Sequence, residues 1–456
     1  VRTTMPMRRR TLIRGLGVGA LSAGALSACS GGFRRGRARA APTAAAAPEP
    51  LHEPETELVL GSLGAVHGRS APFERAISVA VDQAMIDLNA SFEGLFGHEV
   101  AMQERIVVPE TGADLSAEIA GLAEAGVSAV VSSLDEEALA AAMPLLAEAG
   151  IAVIDVFTSG LSVRDPEVPT GNMLIRLAPQ DAAIAQLYAD IALRTSAGDG
   201  STAGTLAYVS EETAQGRSFV QELRRILEPA GGAVALESFH PVGDLGSTDD
   251  LVAALLDDPP ALLVLNGGGE AGTLLSALHT ASRDENGRRT VTIPARLGPA
   301  ASIDYSGAGL AAGCLESATG YEPGGELSEE HLNMMLNADP ELQTIGCAYS
   351  QQAYDAVMLA ALAAQDALSV DGAAIAGAVQ RVLEGSTACA DYGTCRDLLR
   401  TGAEAGSAGS VAFAGRTGTL RLGPTKDVSA TSIRGVAWTT ANQKSFTSVA
   451  AVGTAV

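Results

Sequence analysis

Positive charge is in short supply. The 456-residue chain holds 30 Lys and Arg against 53 Asp and Glu, and nine of those basic residues precede position 40, where no acid occurs. The remainder therefore sets 21 basic residues against 53 acids, a body that repels nucleic acid and excludes that class of partner. Cysteine is sparse too, with five in all. No C-x-x-C occurs and no histidine stands near a cysteine at zinc-site spacing, so no metal is expected. No G-x-S-x-G occurs, and "GRSAP" around Ser70 lacks its final glycine. H-E-x-x-H and the P-loop are missing, and the six histidines are scattered, so the chain is not expected to be an enzyme.

What is present begins at the N-terminus. Arginines at 8, 9, 10 and 14 precede a small-residue apolar run from Gly15 to Ala28, the pattern of an export signal over 1–28 and too short to span a bilayer. Leu26-Ser27-Ala28-Cys29 resembles a bacterial lipobox, which implies lipidation of Cys29 and anchoring at the extracytoplasmic face of the cell membrane. Residues 29–56, rich in Ala, Pro and Arg without apolar periodicity, read as a flexible tether. Four cysteines remain after Cys29. Outside the cytoplasm an even number suggests two disulfides, with three connectivities open. Cys389–Cys395, bracketing a short Asp-Tyr-Gly turn, and Cys314–Cys347 are the expected pairs.

From residue 57 onward apolar strands alternate with amphipathic helices. Strands are predicted over 57–63, 100–107, 127–133, 151–157, 204–210, 233–239 and 261–266, and helices over 73–89, 114–125, 135–149, 180–195, 216–230, 248–257 and 271–283. Phe73, Ile77, Ala80, Ala84 and Leu88 form one helical stripe. Such alternation predicts an α/β fold of parallel sheets flanked by helices on both faces. So many strands call for two lobes: lobe 1 over 57–176 with about 298–400, and lobe 2 over 177–297 with about 401–445, crossing at "GNMLIRLAPQD".

Several stretches resemble, in order, the type I periplasmic-binding-fold proteins that serve ABC transporters, in particular the branched-chain amino acid, amide and urea group. They are "LGSLGAVHGRSAPFERAISVAVDQAMIDLN", "GVSAVVSSLDEEALAAAMPLLAEAGIAVIDVFTSG", "IRLAPQD", "YSQQAYDAVMLAALAAQDA" and "GSVAFAGRTGTLRLGPTKDVSATSIRGVAWT". The resemblance implies a monomeric receptor that captures a small polar solute (amino acid-like, amide or amine) in an inter-lobe cleft, needs no cofactor, and delivers it to a permease. A surface sensor of the same fold without transport is the alternative.

Loops at the C-terminal ends of parallel strands form the crevice of open α/β sheets, and the resemblance nominates the same loops. The expected site residues are Phe73, Ser132, Ser133, Asp135, Glu136, Phe157, Thr158, Ser159, Gln215 and Glu270. Phe73 reads either as a ligand cover or as the first residue of its helix stripe. Thr158 and Ser159 offer hydroxyls or caps. Gln215 stands where relatives carry a tyrosine. Asp135 and Glu136 replace the free N–H groups with which relatives hold a ligand carboxylate, and capping is the competing role. Gly267, Gly269 and Gly272 spell G-x-G-x-x-G, a dinucleotide motif here placed late in the chain; the resemblance instead makes Glu270 a grip for a ligand ammonium, a solvated acid on a glycine turn being the alternative. Asp135, Glu136 and Glu270 converging with only Arg69 nearby would favour a cationic or amine-rich solute.

Overall fold

Two sheets, the first parallel and the second mixed, organise the molecule. The computed structural model describes residues 51–195, 202–404 and 410–454. The export signal, Cys29 and the tether up to residue 50 lie outside the described residues.

The first sheet runs in the order Ala101–Met102, Val59–Ala65, Ala129–Ser132, Ala152–Asp155 and Leu174–Arg176, with Ile106–Val108 also beside Val59–Ala65, and all these pairings are parallel. Its strands are buried almost throughout, as expected of a sheet covered by helices on both faces. The helix Glu74–Ile86 carries the predicted stripe inward. Asp135, extended at φ −74°, accepts from the Ala138 amide and starts the helix Glu136–Glu148. Ser350–Ala367 is buried along nearly its whole length in the same core.

The second sheet is mixed. Ala318–Pro323, Ala295–Leu297, Pro260–Asn266, Thr202–Glu211 and Ala233–His240 lie parallel, while Val428–Trp438 joins Ala318–Pro323 in the antiparallel sense and carries Lys444–Gly453 on its other edge. Every predicted strand and helix is present within a few residues, except that 100–107 is broken into two short strands.

Two expectations need correction. The return to the first layer is not made at 298: 295–297 and 318–323 are strands of the second sheet, and although Ala300 and Leu327 touch the first core, its fully buried part resumes at Met335. Residues 411–420 also remain with the first core, so the final passage to the second sheet begins with the short edge strand Arg421–Leu422, paired to Val428–Trp438, rather than near 401. The disulfide Cys389–Cys395 forms, but Cys314 and Cys347 are free thiols. Cys314 packs in the second layer's core and Cys347 in the first's, and that separation leaves them unpaired.

Candidate functional site

The strand ends of both sheets meet across a narrow polar cleft. Loops and helix starts at those ends supply Arg69, Ser159, Asp181, Gln215 and Tyr349, while Tyr188 comes from within a helix and Asn266 and Tyr321 from paired strands. Arg69, in the loop after Val59–Ala65, projects into it with Ser159 and Tyr349 from the first layer. Asp181, Tyr188, Gln215, Asn266 and Tyr321 face them from the second. The space between is about 10 Å3, room for about one water.

On the first wall, Glu136 is completely buried and fully engaged. Its Oε1 accepts from the backbone amides of Ser159 at 3.1 Å and Gly160 at 3.2 Å, and its Oε2 accepts from Arg69 Nη1 at 3.0 Å. Arg69 also lies over the Phe157 ring, 5.5 Å from its centroid. Burial works against the Arg69 charge, but Glu136 and Asp181 outweigh it and hold the guanidinium firmly protonated. Phe73, Phe157 and Tyr349 pack as one aromatic cluster with centroids 4.9–5.9 Å apart. Tyr349 sits at φ 65°, a left-handed conformation uncommon outside glycine, which turns its ring into the cleft at the start of the helix Ser350–Ala367.

On the second wall the acid is Asp181, the first residue of the helix Asp181–Arg194 and 3% exposed. Gln215 Nε2 donates to its Oδ2 at 2.8 Å, and Asn266 Nδ2 donates to Gln215 Oε1 at 2.8 Å, so a chain of neutral amides holds it in place. Burial, reinforced by Glu136, pushes the Asp181 carboxyl up to about 6, against the pull of Arg69. Burial likewise holds the Tyr188, Tyr321 and Tyr349 hydroxyls protonated.

The remaining expected residues divide clearly. Ser159 and Gln215 line the cleft; Phe73 and Phe157 back it through the aromatic cluster. Ser133 turns away to Glu74, which Arg105 grips through two nitrogens, and Ser132 accepts only from the Leu134 amide. Thr158 donates through both its amide and hydroxyl to Asp155, a buried acid that burial raises to about 7. Asp135 is a helix cap, as its competing reading had it. Glu270 folds back on its own turn, where the Gly268 amide donates to its Oε1 at 2.7 Å. That contact settles the glycine motif: a Cβ on Gly267 would lie 2.3 Å from Glu270 Oε1, and one on Gly272 would lie 2.5 Å from the Tyr305 ring. The glycines serve close packing and an internal acid, and the turn is no cradle for pyrophosphate.

The picture of three unpaired carboxylates is therefore overturned. Asp135 caps, Glu270 bonds its own loop, and Glu136 is neutralised by Arg69 and two amides. Asp181, Asn266, Tyr321 and Tyr349 were not among the expected site residues. Asp181 carried one usable signal, an acid opening a helix directly after the crossing segment. Among the described residues, no group of His, Cys, Asp and Glu could hold a metal ion.

Two helix-covered sheets, one parallel and one mixed, with a buried polar cleft at the facing ends of their parallel strands define a two-lobed α/β binding fold. Residues 57–402 match the Periplasmic binding protein family, and the chain belongs to that family. It is a ligand-binding protein and not an enzyme. No curated protein matches it significantly. Among solved structures it is similar to the branched-chain amino acid transporter substrate-binding protein LivJ of Streptococcus pneumoniae in complex with isoleucine (14% identity, TM-score 0.59, covering 87% of this chain and 100% of that one). It is also similar to the leucine-binding protein LivK of Thermotoga maritima (13%, 0.60, 86% and 98%). A third is an ABC transporter solute-binding protein of R. palustris in complex with benzoate (13%, 0.60, 88% and 98%). At such identities the likeness speaks for the type I fold alone.

Proposed function

We propose that this chain is a lipid-anchored extracytoplasmic receptor that closes its two lobes around a small amine-bearing solute and delivers it to an ABC permease. One observation carries the ligand class: Arg69 lines the cleft beside Asp181 but is held by the fully buried Glu136 behind it, so two carboxylates draw on one guanidinium. Glu136 takes the guanidinium contact, so Asp181 is left with neutral side-chain partners, the Gln215 amide and the Ser159 hydroxyl. An ammonium or guanidinium group on the solute supplies the missing charge, and Tyr188, Tyr321 and Tyr349 supply hydroxyls and ring faces around it.

The fold neighbours that hold isoleucine and benzoate bind carboxylates. In this chain a side-chain carboxylate already sits on the cleft amides, which supports an amine without an adjacent acid group. Opening of the lobes admits the solute and closure buries it.

A thermal-shift panel of diamines, guanidines, amino acids, amides and carboxylic acids tests the reading. A bound solute at 100 times its Kd adds about 2.7 kcal/mol of stability. Amines should raise the melting temperature, and small-angle scattering should show compaction with the same solutes. A panel in which only acids or neutral amides bind contradicts the proposal. The anchor is tested separately, since Cys29→Ala should release the protein from washed membranes.

A further inference from the structure

The carboxylate of Glu136 sits in a seat that it does not build. Ser159 and Gly160, which aim their amides at Oε1, belong to the loop after the strand Ala152–Asp155. That loop is fixed by other bonds: Thr158 donates twice to Asp155, Arg176 donates to the Gly160 carbonyl, and the Ser159 carbonyl accepts from the Asp181 amide. The opposite layer comes close at Gly160, where a Cβ would lie 2.9 Å from Ser218 Oγ. Arg69, the third donor, comes from a different loop and is further held over Phe157. Two converging amides and a guanidinium recognise a carboxylate of any origin. Glu136 reaches this seat from a neighbouring helix and, with no exposed surface, fills it completely.

We infer that Glu136 is a built-in occupant of a carboxylate seat and thereby the residue that sets ligand selectivity: it excludes solutes carrying a free carboxylate at that position. The inference rests on the cleft being the solute site, as proposed above. It goes further in assigning to one side chain the rejection of an entire ligand class. An incoming carboxylate would have to displace Glu136 from its three donors or share one guanidinium with it and Asp181, and like charges at such range disfavour both arrangements.

Truncation supplies the test, because Glu136→Ala removes a group equal in size and charge to acetate. Glu136→Ala should be less stable than wild type in chloride buffer, and acetate should raise its melting temperature saturably. Wild type and the shape-preserving Glu136→Gln should show no such gain. The same alanine variant should acquire binding of isoleucine that acetate competes away, a gain of ligand that loss of a purely structural ion pair does not give.

Wild type provides a measurement independent of folding of the variants. Cadaverine and lysine differ only by a carboxylate, and wild type should bind cadaverine at least about tenfold more tightly, which is about 1.4 kcal/mol. Equal binding of lysine and cadaverine by wild type, or an equal response of all three proteins to acetate, overturns the inference. Failure of the receptor proposal looks different: no amine binds wild type, while acetate still rescues Glu136→Ala.

Discussion

The crossing between the layers and the cleft use the same ingredients in opposite proportion. At the crossing two guanidiniums serve one carboxylate: Arg164 and Arg176 each place a nitrogen 2.7 Å from Asp427 Oδ1. Burial alone would raise the Asp427 carboxyl, yet Arg176 and Arg164 hold it down to about 2. At the cleft Asp181 on the wall and Glu136 buried behind it both draw on the guanidinium of Arg69, and Asp181 is pushed up to about 6. The first arrangement satisfies its acid and reads as structure. The second is short of one cation, and that shortage is what a ligand can relieve. Burial of charged groups by itself therefore separates nothing; the ratio of partners does.

The largest expected effect comes from breaking the satisfied region. Asp427→Asn leaves Arg176, 1% exposed, beside Arg164 without its counter-charge, and should cost about 3–5 kcal/mol in urea unfolding. Asp181→Asn should instead leave the free protein at least as stable, while lowering amine affinity roughly tenfold to a hundredfold by calorimetry, as expected for loss of a charged hydrogen bond.

Acid should separate the regions next. A carboxyl raised in the folded state binds its proton more tightly there than when unfolded. Asp181, at about 6, and Asp155, at about 7, thus add stability as the pH falls from neutrality towards their ordinary value of 3.8. Asp427, lowered to about 2, keeps its contribution above 3.8 and loses it as the pH falls from there through 2. Amine affinity should weaken by up to about tenfold per pH unit below 6, because protonation removes the charge that meets the ammonium. The smallest effect is expected from Glu270→Gln. Its carboxylate bonds its own turn, and amine affinity should change by less than about threefold, or about 0.65 kcal/mol.

The same contrast shows how far the sequence was legible. Alternation of short apolar runs and stripes such as Phe73, Ile77, Ala80 and Ala84 gave the sheets, because period and burial are local properties. The strands 295–297 and 318–323 escaped because the first is only three residues long and the second is bordered by Gly-rich turns. The loops of the site were legible from strand ends alone. Which side chains turn inward was not, since Ser133 is drawn to Glu74 and Arg105 from distant segments, and Glu270 bends back within its own turn. Cys314 and Cys347 show the same limit: an even count suggested a pair, and only the division into two cores keeps them apart.

The central claim is that the cleft lacks one positive charge at Asp181 and that the solute provides it. Calorimetry of cadaverine binding at pH 6, repeated in buffers of different ionisation heat, reads this as proton uptake or release. With the Asp181 carboxyl near 6, binding an ammonium should expel about half a proton from the wild type and none from Asp181→Asn. Cadaverine binding without proton release, or with equal strength in Asp181→Asn, would contradict the account.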